Sequence, residues 1–142
     1  MLKIDYTTAR GRGVFATCPI PAGQVIEDAP VIVVPPEQMP FIKSTVLFEY
    51  FFQWKLNGEE ACAICLGNGS LYNHSLQHAN ARYIRLYDDL KIRFVALRDI
   101  HPGEEIMTNY NGDADCRRPL WFEENPQTNS NQFLSAQNIR TF

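Results

Sequence analysis

Ala16-Thr17-Cys18-Pro19-Ile20-Pro21-Ala22-Gly23-Gln24-Val25-Ile26 returns later in the chain as Ala96-Leu97-Arg98-Asp99-Ile100-His101-Pro102-Gly103-Glu104-Glu105-Ile106. Ala, Ile, Gly and Ile recur at the same spacing, and a Pro stands one or two residues before the Gly in both. Each copy reads as a strand that ends on a small residue, an Ile that plugs the core, a Pro/Gly turn, and a second strand that begins at the next Ile. Two such units predict a mostly-β fold with internal pseudo-symmetry.

The surrounding sequence carries the same rhythm. Short runs rich in β-branched and aromatic residues, at 2–6, 13–16, 25–26, 31–34, 61–66, 82–87, 91–97 and 106–110, lie between turn signals. Asp88-Asp89 between two of these runs reads as a hairpin turn. The stretch 36–54 has room for a helix, since Pro36 and Glu37 suit a first turn and Phe41, Thr45, Phe48 and Phe52 repeat at helical spacing. Its end, from Tyr50 to Trp54, fits a strand equally well. The polar tail, rich in Asn, Gln, Ser and Thr, is expected to be extended or partly disordered.

With 142 residues, 45% of them hydrophobic, the chain suits one globular domain that buries about two thirds of its unfolded surface without staples. Thirteen basic against sixteen acidic residues, with no Lys/Arg run, argue against direct nucleic-acid binding. A basic partner suits the surface better. No apolar run approaches the roughly 20 residues that span a bilayer, so no membrane association is expected. Four cysteines and a start without a signal-like apolar run suggest a reducing compartment, hence the cytoplasm.

Three clusters hold candidate chemistry. In Gly11-Arg12-Gly13-Val14, the glycines let a ligand approach the backbone closely; a plain turn is the alternative, and the third Gly and following helix of a dinucleotide fingerprint are absent. Gly67-Asn68-Gly69-Ser70-Leu71-Tyr72-Asn73-His74-Ser75, followed by Asn80, places three hydrogen-bonding side chains in a row after a glycine-rich bend. Gly103-Glu104-Glu105-Ile106-Met107-Thr108-Asn109-Tyr110 opens a strand on two carboxylates and ends it on a Tyr hydroxyl. Adjacent strand residues point to opposite faces, so Glu104 and Glu105 cannot share a site, and one is expected to be solvated and the other structural. Cys62-x-x-Cys65 followed by His74-x-x-x-His78 has zinc-ligand half-spacings. Only eight residues separate the halves where a zinc finger has about twelve, and the two cysteines would face opposite sides of a strand. Buried free thiols are therefore favoured and no metal site is assigned.

In this order and spacing the clusters resemble the SET domain of protein-lysine methyltransferases, over roughly 10–122, and most closely its short stand-alone forms in bacteria and viruses. The resemblance implies a mostly-β, β-clip fold of small sheets around a pseudoknot, with one or two short helices. It assigns 1–122 to the SET domain and 123–142 to a C-terminal tail. It further implies transfer of a methyl group from S-adenosylmethionine to a lysine of a protein or peptide substrate, a histone tail among the candidates. Carried over by residue, Arg12, Gly13 and Val14 would hold the cofactor through the backbone. Asn73 and His74 would bind it through backbone groups and the Asn side chain. Tyr50 would lie against it, Tyr110 would be the catalytic tyrosine and also touch the cofactor, and Phe52, two residues on from Tyr50 and on the same strand face, would line the lysine channel together with Tyr83. With a histone substrate, a nuclear location or delivery to a host replaces the cytoplasmic one.

The chain departs from the family pattern in three places. Leu76-Gln77-His78-Ala79 separates Ser75 from Asn80 by one residue more than usual. Thr108 stands where many members carry the Phe or Tyr that sets methylation number, which leaves Tyr83 for that role. The cysteine cluster after the domain is missing, so Trp121 and Phe122, or a second copy of the chain in a homodimer, are the candidates for closing the cofactor pocket. The rival readings are a SET-fold binding module without catalysis and a zinc-stabilised domain.

Overall fold

A computed structural model describes residues 1–109 of the chain. Nine strands make up nearly half of it: β1 (Leu2–Tyr6), β2 (Arg12–Ala16), β3 (Val25–Val34), β4 (Phe52–Leu56), β5 (Glu59–Cys65), β6 (Asn73–His74), β7 (Ala81–Leu86), β8 (Lys91–Ala96) and β9 (Glu105–Thr108). They pair in the order β1-β2-β9-β7-β8-β3-β5-β4, with β6 also on β9. Most pairings are antiparallel, but β6 and the start of β7 run parallel to β9. Strand β9 is thus threaded between β2 on one side and the 73–81 segment on the other. Among the described residues no helix is long and apolar enough to cross a membrane.

The repeated sequence is a structural repeat. Ile20 and Ile100 face each other across an antiparallel bridge, each amide donating to the other's carbonyl at 2.9 and 2.8 Å. Gly23 donates to Ala96 O and Gly103 to Ala16 O, both at 2.8 Å. The Ile bonds and the Gly-to-Ala bonds each come as a pair that exchanges the two copies, as a local two-fold axis requires. Gly23 and Gly103 hold φ of 83° and 88°, the left-handed conformation their tight turns need. Ile20, Ile100 and Ile106 are almost fully buried, each contributing roughly 1.5–3 kcal/mol by leaving water, and they join Val14, Trp54, Tyr72, Ile92 and Phe94 in the main core.

Two expectations need correcting. The 36–54 stretch is not one helix. It breaks into a 3-10 turn (Pro36–Gln38), a single α-helical turn α1 (Met39–Ile42), a second 3-10 turn (Val46–Glu49) and then β4. Thr45 ends the first part, donating its hydroxyl to Ile42 O and accepting from the Leu47 amide. Phe41, at the head of the supposed stripe, is 72% exposed, while Phe52 and Trp54 point inward with the period of a strand. These segments cover a satellite cluster of Val34, Phe51 and Cys62. Second, 25–26 and 31–34 belong to a single strand, β3, which pairs with β8 through its first part and with β5 through its last.

Candidate functional site

The site grows from the thread made by β9. Asn80 holds that strand as a second backbone would: Nδ2 donates to Glu105 O at 2.9 Å, Oδ1 accepts from the Met107 amide at 2.8 Å, and its own amide donates to Met107 O at 3.0 Å. The Ser75 amide donates to Thr108 O at 3.0 Å, and Ser75 Oγ accepts from the His78 amide at 2.8 Å. The longer Leu76–Ala79 connection is thereby absorbed in a capped turn, with Asn80 1% exposed.

Against this thread lies the Gly11-Arg12-Gly13 segment. The Thr7–Gly11 turn is closed by the Thr7 amide on Gly11 O and the Arg10 amide on Thr7 Oγ1, with Gly11 at φ 70°. Asn73 crosses to it. Its Nδ2 donates to Arg12 O at 2.9 Å and to Glu105 Oε1 at 2.7 Å, joining segments 61 and 32 residues away in sequence. Arg10 Nη1 donates to His74 O from the same side. Gly13 is favoured here for a steric reason: a Cβ on it would overlap Glu105 Oε1 and stand 2.9 Å from Asn73 Nδ2. Asn73 and His74 are both 2% exposed.

The glycine-rich bend before Asn73 has its own anchor. Glu27, at the irregularity in β3, accepts from Tyr72 Oη at 2.6 Å and from the Asn68 amide at 3.0 Å. The Tyr72 ring stacks on Phe94 at 4.2 Å. Burial, and then the hydrogen bond to the Glu27 carboxylate, push the Tyr72 phenol well above the usual range, so it acts as a permanent donor.

Arg12, Gly13, Val14, Asn73 and His74 are thus brought together. Phe52 and Tyr83 form a second group, their rings edge to face at 5.3 Å and both buried, with the Arg85 guanidinium 5.3 Å from the Tyr83 ring centre. Tyr50 stands apart. It caps the Val46–Glu49 turn, outside β4, and among the described residues no hydrogen bond or ring contact joins it to the Asn73 group. The inference that Phe52 shares a strand face with Tyr50 therefore does not hold. Tyr110, Trp121 and Phe122 lie outside the described residues, as does the 123–142 tail. The adjacent carboxylates do part company: Glu104 accepts from Arg98 Nη2 and the His101 amide at the surface, both at 2.9 Å, while Glu105 turns to Asn73. Cys62 and Cys65 belong to different clusters, on opposite faces of β5. Sequence reasoning missed Arg10, Glu27 and Glu105 as parts of the site. Only the doubled glutamate gave a signal, since one of the pair had to face inward.

Both Nδ2 protons of Asn73 are spent on Arg12 O and Glu105 Oε1, which leaves Oδ1 as the acceptor this side chain offers. Beside it runs the backbone of Gly13, where a Cβ would overlap Glu105 Oε1. An acceptor oxygen next to bare backbone fits an amino-acid-like ligand group bearing an ammonium.

A mostly-β fold with β9 threaded through a polar knot of this kind defines a class, and the comparison with known families identifies it. The SET-domain profile matches residues 11–111, and the chain belongs to that family. It is 38% identical over 124 residues to a Schizosaccharomyces pombe protein named histone-lysine N-methyltransferase, H3 lysine-37 specific, covering 87% of this chain and 78% of that one. Among solved structures, a Plasmodium falciparum protein superposes with a TM-score of 0.60 at 23% identity, over 79% of this chain and 94% of its own, a likeness of fold. The Cryptosporidium SET8 structure gives a TM-score of 0.60 at 25% identity, over 79% and 57%. The mostly-β SET fold inferred from sequence is the fold observed.

Proposed function

We propose that the protein is an S-adenosylmethionine-dependent protein-lysine N-methyltransferase and that its substrate is a lysine in a basic segment such as a histone tail. The carrying observation is the Asn73 knot, in which one buried amide ties together the three motif segments of the family. The fungal relative's name supports the histone reading.

When bound, S-adenosylmethionine supplies an electrophilic methyl group, so the protein needs no nucleophile of its own. Asn73 Oδ1 and the backbone of 12–14 would receive the cofactor's amino-acid portion, and the His74 backbone would add to its binding. Phe52 and Tyr83 would wall the lysine's path. Removing water from the ammonium there lowers its pKa and favours the neutral amine that can attack. The Tyr110 hydroxyl would orient that amine in line with the methyl group. Thr108, 2% exposed beside His74 on β9, offers no aromatic ring to the channel.

Tyr110→Phe tests the reading. The variant should keep its melting temperature and its S-adenosylmethionine affinity while losing at least about a hundredfold in methyl transfer to histone H3, scored by mass spectrometry, the scale usual for a positioned proton-handling group. Wild-type transfer rates in the variant would refute the role of Tyr110. No methylated lysine on any histone with the wild-type protein would refute the substrate.

A further inference from the structure

We infer that Glu105 is a positioning residue of the cofactor site, acting through Asn73; this rests on the reading of Asn73 as a cofactor-binding side chain. A primary amide can be turned over, exchanging its donor and its acceptor, with little change in shape. Which end of Asn73 faces the ligand is therefore decided by its neighbours. Two acceptors decide it here, Arg12 O at 2.9 Å and Glu105 Oε1 at 2.7 Å, one for each Nδ2 proton. Turned over, Asn73 would set Oδ1 against both of those oxygens and offer the ligand a donor instead. Arg12 O alone would satisfy only one proton, and the other would be stranded on a side chain 2% exposed. Charge makes the Glu105 bond the stronger of the two.

The strand carrying Glu105 is held by other means. Asn80 bonds Glu105 O and the Met107 amide, and the register with β2 pairs Phe15 with Glu105. Glu104 cannot substitute, because it faces the surface with Arg98. Removing the Glu105 side chain should leave β9 in place and release only the Asn73 amide.

The test is calorimetric titration of S-adenosylmethionine into the wild type, Glu105→Ala, Glu105→Gln, Asn73→Ala and the Asn73→Ala/Glu105→Ala double variant. Glu105→Ala should weaken binding about tenfold, the loss of one buried hydrogen bond. Glu105→Gln, which keeps an oxygen at the same reach, should recover to within about threefold of wild type on the same scale. In the Asn73→Ala background the further loss at position 105 should shrink to less than about twofold, because the side chain it acts through is gone. Wild-type affinity in Glu105→Ala, or losses at 73 and 105 that simply multiply, would overturn the proposal and leave the cofactor reading intact. Absence of binding by the wild type would overturn the cofactor reading and this proposal together. Should Ala at 105 fail to fold, Glu105→Met, which keeps the length without a comparable acceptor, takes its place with the same expected and refuting results.

Discussion

Gly13→Ala probes the packing of the site with one methyl group. Gly13 does not have positive φ, so Ala imposes no backbone strain, and stiffening the unfolded chain should by itself stabilise the protein by about 0.4–1 kcal/mol. The methyl group has nowhere to go. It overlaps Glu105 Oε1, stands 3.1 Å from Glu105 Cδ and 2.9 Å from Asn73 Nδ2. The half-buried Glu105 carboxylate can swing away, but the Asn73 amide then loses the acceptor of its second proton at a cost of about 1–3 kcal/mol. The difference is a net loss of about 1 kcal/mol, which in a chain of this size lowers the melting temperature by about 3–5 °C. S-adenosylmethionine affinity should fall more steeply, tenfold or beyond, because the displaced amide is the group proposed to meet the ligand. Differential scanning fluorimetry and calorimetric titration read the two effects. Adding Glu105→Ala removes the overlap with Glu105 but neither the close approach to Asn73 nor the lost acceptor, so it should restore no affinity. A Gly13→Ala protein with wild-type melting temperature and cofactor affinity would refute the reasoning.

Other consequences are open to measurement. Gly69→Ala would push a methyl group into Cys65 Sγ, with Cys65 Cβ at 3.0 Å and Ala29 Cβ at 3.2 Å, and should destabilise by about 1–3 kcal/mol in urea unfolding; an unchanged midpoint would contradict the packing. Burial pushes the Cys62 thiol up to about 11, so at pH 8 only about one molecule in a thousand carries the thiolate there. Iodoacetamide should therefore label half-exposed Cys18 well before Cys62, and equal rates by peptide mass spectrometry would count against the burial. Hydrogen bonds from Arg93 and Arg98 hold the Asp28 and Glu104 carboxyls below their ordinary range. A lowered folded-state pKa gives stability that is present above the unfolded carboxylate range near 4 and lost as pH falls through the folded value. Both pairs are at the surface, so the loss between pH 5 and 3 should be under about 1 kcal/mol each and smaller in 1 M salt. Arg93→Ala should flatten that part of the profile, and an unaltered profile would remove Asp28 from it.

The strands were legible wherever a run of apolar residues met a turn signal, as at Leu2–Tyr6 and Lys91–Ala96. They were hidden where one strand changes partners. Glu27, Asp28 and Pro30 make the middle of β3 look like a loop. Yet Glu27 is used by Tyr72, Asp28 pairs with Arg93, and Pro30 stands where pairing passes from β8 to β5. A helical stripe was read into 36–54 because aromatic spacing alone cannot reveal that Phe41 is exposed and that Ser44-Thr45 caps the chain. Asn57-Gly58, both at positive φ, closes the β4–β5 hairpin and is the kind of pair that marks such a turn in sequence. In the site, the three motif segments were visible because they are local. Their mutual bonds were not, since Arg10, Glu27 and Glu105 act on residues far along the chain.

The internal repeat explains why so small a protein can hold a polar site at its centre. Each copy ends a strand on Ala, bridges through its Ile and turns on its Gly, so the two copies lock one another through paired backbone bonds that use no side-chain polarity. The second copy leads directly into β9, and the first follows directly from β2. The local two-fold axis therefore clamps together β2 and β9, the two strands that carry Gly13 and Glu105. With that spacing fixed by backbone geometry, a single buried amide, Asn73, can bridge them at hydrogen-bond distance on both sides. A change at Ile20 or Ile100 would act on the site without touching it, by loosening the clamp that holds the strands at the reach of one asparagine.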